Sequence, residues 1–290
     1  MLRLSFPSAI TSAIYNGIFS ACINDIPAEE QPYKVRVSNV INQVDAEWMV
    51  YNQRALVRDL HLFQACTHGN DTQIIIGNVT KKDLKDLYEK YMVRDNMASR
   101  TVYDLLRASS NGICSLCGIA PVSTLDHYLP KARYPIFSVN PYNLVPACST
   151  CNKGKGSAVI SNRGDQTLHP FYSLQHFYNE DWLKARVTDN RPLKFEYYVD
   201  PPSQWSAFDK EVVINHFNDF KLADKYTINA SQFLVYIIMD IRSILTNGSS
   251  VDVIASLSTK SQLLPKNSTM KAVIDGIILD ANVCSGNFDI

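Results

Sequence analysis

Residues 114–156 read CSLCGIAPVSTLDHYLPKARYPIFSVNPYNLVPACSTCNKGKG. Cys114-x-x-Cys117 and Cys148-x-x-Cys151 are two pairs of identical internal spacing, which is metal-ligand spacing rather than a disulfide framework. Four thiolates close a tetrahedral Zn²⁺ shell with no open position, so such a metal staples structure and performs no chemistry. The plainer alternative is four buried free thiols. Inside this frame Ser123-Thr124-Leu125 is strand-like and ends in Asp126-His127. Asn143-Leu144-Val145-Pro146 leads back towards the second pair, and Ser149 to Gly156 suits a short helix. A strand, a return strand and a helix clipped at their open ends make a ββα unit, and the fold class expected is α+β, a mainly helical chain around this central zinc-stapled module.

The residues held in that unit match the needs of phosphodiester hydrolysis: a base for water, a cation on the phosphate and a group for the leaving oxygen. His127 offers a neutral imidazole near pH 7. Asp126 and Asn152 offer hard oxygen ligands suited to Mg²⁺. Asn143 can orient the imidazole, and Lys155, one helical turn beyond Asn152, faces the same way to meet phosphate. Each residue has a plainer reading when taken singly: Asp-His as a turn feature, Asn143 as a turn cap, Lys155 as a solvated side chain. Their order inside one thiolate frame favours an active site.

D-H, then N-L-V-P-A-C, then C-N-x-x-K, framed by two C-x-x-C pairs, resembles the HNH endonuclease family, the zinc-braced branch of the ββα-metal nucleases. The resemblance implies His127 as general base, Asn143 as its positioner, and Asp126 with Asn152 as ligands of a catalytic Mg²⁺ or Mn²⁺. It covers about a sixth of the chain and implies products with a 5′ phosphate. LYEKYMVRD before the module, L-P-K-A-R-Y-P inside it and L-H-P-F-Y-S after it resemble HNH proteins of anti-phage defence, including the Septu-type nuclease, which implies an ATPase partner. His169 in the last of these motifs is open to two readings, a ligand of the catalytic metal or a phosphate, or a packed structural residue. Lys131, Arg133, Lys153 and Arg163 add local positive charge suited to backbone contacts with double-stranded DNA, or else a solvated face. RNA or tRNA cleavage uses the same chemistry, and a non-catalytic zinc scaffold is the reading from another class.

Around the module, 290 residues with 46% hydrophobic and 19% charged residues suffice for two ordinary cores. Lys plus Arg and Asp plus Glu both total 28, which excludes a global positive field as the means of holding nucleic acid. Seven cysteines, four of them in metal-ligand pairs, favour a reducing, cytoplasmic setting. The N-terminal MLRLSFPSAITSAIYNGIFSAC has too many polar interruptions for an export signal, and Ile10, Ile14 and Ile18 read as the buried face of a first helix. No stretch approaches the roughly 20 apolar residues of a membrane span.

Three regions are expected: residues 1–98, mainly helical; 99–180, the zinc-braced module; and 181–290, a hairpin followed by helices. Within them Val44, Trp48, Val50, Tyr51 and Leu56 suit a helix, and Thr72 to Ile76 a short buried strand. Thr80 and Asp83 open a capped helix carrying Leu84, Leu87, Tyr88 and Tyr91, and a further helix is expected over 99–108. Leu183 to Val187 and Leu193 to Val199 form the hairpin. Helices are expected over 203–219, 223–245 and 269–282, the middle one burying Phe233, Ile237, Ile241 and Ile244.

Overall fold

The computed structural model describes residues 1–289, of α+β class. The chain divides into two compact units, Leu2–Ser173 and the part from Leu174 onward.

In the first unit, α1 (Ser12–Asn24), α2 (Gln31–Ser38) and α3 (Ile41–Leu56) precede a short hairpin, β1 (Ile74–Ile76) and β2 (Val79–Thr80). Helix α4 (Lys81–Asp86) starts at a full capping box: Thr80 Oγ1 accepts from the Asp83 N–H, and the Asp83 carboxylate accepts from the Thr80 N–H. It runs on into a π-helical stretch, Leu87–Met92, and Leu84, Leu87, Tyr88 and Tyr91 are all buried. Helix α5 (Arg100–Ala108) follows, then β3 (Thr124–His127), β4 (Leu144–Ala147) and α6 (Ser149–Lys155). Strands β3 and β4 pair antiparallel, Thr124 opposite Ala147 and His127 opposite Leu144.

One continuous apolar core serves both the N-terminal helices and this ββα unit. It joins Ile18, Phe19, Val44, Trp48 and Tyr51 to Leu125, Tyr128, Phe137 and Leu144. Trp48 Nε1 donates to the Ile136 carbonyl at 2.9 Å, so α3 is tied to the β3–β4 connection by a polar bond as well as by packing. Two local expectations fail. Ile14 is 42% exposed because α1 buries Ile18, Phe19, Cys22 and Ile23 instead, and Ile74 is 56% exposed because β1 lies on the surface. Leu56 is also exposed at the end of α3, where the helix leaves the core.

The second unit contains α7 (His176–Asn179), the hairpin β5 (Leu183–Asn190) and β6 (Leu193–Val199), then α8 (Ala207–Asp219), α9 (Leu222–Leu245), α10 (Ser250–Leu263), α11 (Thr269–Ile278) and α12 (Ala281–Cys284). Helix α11 packs on β5, α9 on β6, and α10 on both helices. Helix α10 was not expected. It buries only Val253, Leu257 and Ser261, too sparse a stripe to read as amphipathic. Of the stripe expected on α9, Ile237 and Ile241 are buried, while Phe233 and Ile244 are half-buried. By length and composition α9 is apolar enough to cross a membrane, contrary to the sequence expectation, although it contributes Tyr226, Ile238 and Ile241 to the core of its unit.

Gly276 lets α11 approach β5 closely: a Cβ there would collide with the Ala185 carbonyl oxygen. In an exposed helix Gly to Ala gains about 1 kcal/mol. Here the collision reverses the sign, and Gly276→Ala should destabilise the second unit by about 1–3 kcal/mol. Denaturant unfolding checks this, and a stabilised variant would contradict the packing described.

Candidate functional site

The four cysteines converge at one end of the β3–β4 ladder. All are buried, and their sulfurs lie within 4.8 Å of one another, close to the about 3.8 Å separation that a tetrahedral zinc with Zn–S bonds of about 2.3 Å imposes. The loop after Cys114 is a knuckle. The Gly118 N–H donates to the Cys114 carbonyl at 2.8 Å, and Gly118 takes the left-handed φ of 72° that this tight turn requires. Backbone N–H groups of Ile119 and Ala120 are directed at the Cys117 sulfur, and that of Cys117 at the Cys114 sulfur. Hydrogen bonds from the neighbouring thiols and these amides push Cys117 far down and favour its thiolate, while the hydrogen bond that Cys114 gives to Cys117, with burial, pushes Cys114 up to about 12. Such a donor set can hold a structural metal such as zinc.

At the other end of the ladder stand Asp126 and His127, both buried. His127 Nε2 lies 2.8 Å from the Ser138 carbonyl oxygen. A carbonyl only accepts, so Nε2 carries the proton and Nδ1 keeps the lone pair. Tyr88, from the π-helical stretch, sets its ring edge-on to the imidazole at 4.4 Å. Burial, with Lys131 and Lys155 nearby, pushes the imidazole down to about 3, so the ring is neutral throughout the neutral range.

Asp126 is pushed the other way, up to about 6, by burial that Lys155 partly offsets. Its Oδ2 is buried without a hydrogen-bond partner, its nearest countercharge being Lys155 Nζ at 3.8 Å. Asn152 donates from Nδ2 to the Leu125 carbonyl at 3.3 Å, which fixes its side chain against the same strand. A buried carboxylate oxygen without a donor is a position that a divalent cation could occupy.

Asn143 and Lys155 make contacts that the sequence did not specify. Asn143 does not bond the imidazole. Its Nδ2 donates to the Leu129 and Phe137 carbonyls at 3.0 and 3.1 Å, and its Oδ1 accepts from the Leu129 N–H at 2.7 Å. It clamps the connection that carries Ser138, one step behind His127. Lys155 donates to the carbonyls of His127 and Tyr128 and lies over the Tyr128 ring at 4.6 Å, which ties α6 to the end of β3.

His169 is packed: its Nε2 lies 3.2 Å from the Tyr51 hydroxyl, and its ring lies against Tyr128. Among the basic residues, Lys131 pairs with Glu89 at 2.9 Å and sits over the Tyr88 ring, and Arg133 donates to the Cys66 carbonyl. Arg163 pairs with Asp59 and donates to the Val57 carbonyl, while Lys153 is exposed on α6. Sequence reasoning missed Ser138, Tyr51 and Tyr88 as site residues. Only Tyr88 left a signal, in the LYEKYMVRD motif; Ser138 acts through its backbone, and Tyr51 sits at ordinary core spacing.

Two predictions follow from this geometry. The wild type should carry about one zinc per chain, and Cys117→Ser should lose it together with several degrees of melting temperature. Full metal content in that variant would refute the assignment. Burial pushes His169 down to about 3 from an ordinary 6.5. The unfolded chain therefore binds a proton there between pH 6.5 and 3 that the folded chain does not, and stability falls as pH drops through that window. His169→Gln should reduce that slope by about 1.4 kcal/mol per pH unit, as denaturant unfolding at pH 4–6 would measure.

The chain is similar to Protein ea31 of Escherichia phage lambda, with 37% identity over 169 residues, or 58% of this chain. It spans 57% of that relative, whose name states no activity. No family model and no solved structure matches the chain.

Proposed function

We propose that this protein is a metal-dependent HNH-type endonuclease that hydrolyses phosphodiester bonds, with double-stranded DNA as its first substrate. The observation that carries the reading is His127 with Nε2–H anchored on the Ser138 carbonyl, beside the partnerless buried oxygen of Asp126. A purely structural zinc module has no use for a neutral, oriented imidazole next to a bare carboxylate.

His127 Nδ1 takes the proton of a water whose oxygen attacks phosphorus. The new O–P bond forms as the P–O3′ bond breaks, and the departing 3′ oxygen takes a proton from a second water, leaving a 5′ phosphate and a 3′ hydroxyl. Asp126 and Asn152 would hold a divalent Mg²⁺ or Mn²⁺, which supplies positive charge to the scissile phosphate when bound. Ser138 and Tyr88 fix the imidazole, and Lys155 keeps α6 beside β3.

Equal totals of 28 acidic and 28 basic residues give the chain little long-range attraction for nucleic acid. The reading therefore includes a partner that holds or presents the substrate, an ATPase in the anti-phage defence setting that the motifs resemble, and low activity of the chain alone. The deciding experiment is plasmid nicking by wild type and His127→Ala with Mg²⁺, Mn²⁺ or EDTA, zinc content being measured in both. Metal-dependent nicking should fall at least about 100-fold in the variant, with zinc retained. Folded, zinc-loaded wild type that cuts neither DNA nor RNA, with or without an ATPase, would leave a zinc scaffold as the function.

A further inference from the structure

Tyr51 lies in the middle of α3, fully buried, at a position that reads as ordinary core. Its hydroxyl is 3.1 Å from Asn143 Oδ1 and 3.2 Å from His169 Nε2. Donors and acceptors fit one arrangement of protons along this chain, with the Tyr142 carbonyl as a second acceptor near the His169 ring. The Phe171 N–H donates to His169 Nδ1, so the neutral ring carries its proton on Nε2. That proton goes to the Tyr51 oxygen, and the single Tyr51 proton goes to Asn143 Oδ1. Asn143 Oδ1 also accepts the Leu129 N–H, and both Nδ2 protons are used on the Leu129 and Phe137 carbonyls. The residue after Phe137 is Ser138, whose carbonyl anchors His127 and whose hydroxyl donates to the Leu84 carbonyl at 2.5 Å.

We propose that Tyr51 is a positioning residue for His127: it joins His169 to Asn143, and through Asn143 it sets the place of the Ser138 carbonyl that holds the imidazole as its Nε2–H tautomer. Removing the Tyr51 hydroxyl cuts the link between His169 and Asn143 and leaves Asn143 Oδ1 without one of its two donors, in a network where each bond orients the next. The 129–138 connection then loses its register on Asn143, and the imidazole gains freedom to turn or to change tautomer. The catalytic consequence rests on the nuclease reading above; the tautomer consequence does not.

The test is Tyr51→Phe, which preserves shape and deletes one oxygen, read in two ways. Ring ¹⁵N shifts of histidine-labelled protein should show His127 as one Nε2–H tautomer in the wild type and as a mixture in the variant, with zinc content unchanged. Nicking should lose about tenfold in kcat, the rate equivalent of one hydrogen bond, with KM held within about twofold. A single unchanged tautomer with wild-type kcat would overturn the proposal. If Tyr51→Phe does not fold, two changes at His169 decide. His169→Gln, which puts an amide N–H where the ring had one, should restore most of what His169→Leu loses in tautomer order, and equal behaviour of the two would overturn the relay. If the wild type cuts nothing, the nuclease reading fails and the tautomer comparison alone decides the role of Tyr51.

Discussion

A two-stranded ladder of four residue pairs cannot hold a fixed geometry alone, since isolated hairpins are marginal in water. Strands β3 and β4 are such a ladder, and the rest of the first unit is arranged to brace it. At the Thr124–Ala147 end the brace is the cluster of four sulfurs, which draws the chain segments flanking both strands together. At the His127–Leu144 end there is no cross-link, and polar groups do the same work. The Tyr128 N–H donates to the Asn143 carbonyl, the Asn143 side chain spans Leu129 and Phe137, and Lys155 donates to the carbonyls of His127 and Tyr128 at the end of β3. The strong brace sits away from His127, and the adjustable one beside it.

That division bears on the electrostatics. Burial drives Asp126 up and His127 down, so at neutral pH the imidazole carries no charge with which to neutralise the carboxylate. A pair built only for stability would be an ion pair or would carry hydrogen bonds on every oxygen. Asp126 Oδ2 has no hydrogen bond, and its ion pair with Lys155 is long, 3.8 Å, with the lysine also engaged by two carbonyls. A dry carboxylate that a lysine only partly compensates is an arrangement a cation completes.

The parts of this site that were legible in the sequence depend on side-chain identity at fixed spacing. The paired cysteines, the Thr80–Asp83 capping box and the strand–strand–helix order from Thr124 to Lys155 belong to this kind. What was not legible depends on where the backbone goes. The Ser138 carbonyl would serve equally from almost any residue type, so nothing in position 138 announces it. Asn143 bonds loop groups rather than the imidazole, and spacing cannot say which of the two an amide faces. Tyr51 combines a core position with a polar handle, and periodicity registers only the first. Exposure of Ile14 and Ile74 has the same origin, since apolar pattern marks which residues can be buried, and tertiary packing selects among them.

The basic residues near the site extend the argument from geometry to partners. Lys131 is committed to Glu89, Arg133 to the Cys66 carbonyl, Arg163 to Asp59 and Lys155 to the end of β3, while Lys153 stands exposed. Charges spent on internal contacts still contribute to the local field, but each must break or share a bond to reach a phosphate. Duplex affinity depends chiefly on how many phosphates are neutralised at once. A chain with balanced charge and most of its nearby cations already engaged would, in the nuclease reading, combine an ordered site with a weak grip on the polymer. In the nuclease reading, catalytic order and substrate affinity reside in different molecules, and whatever brings the nucleic acid to His127 also decides when it is cut.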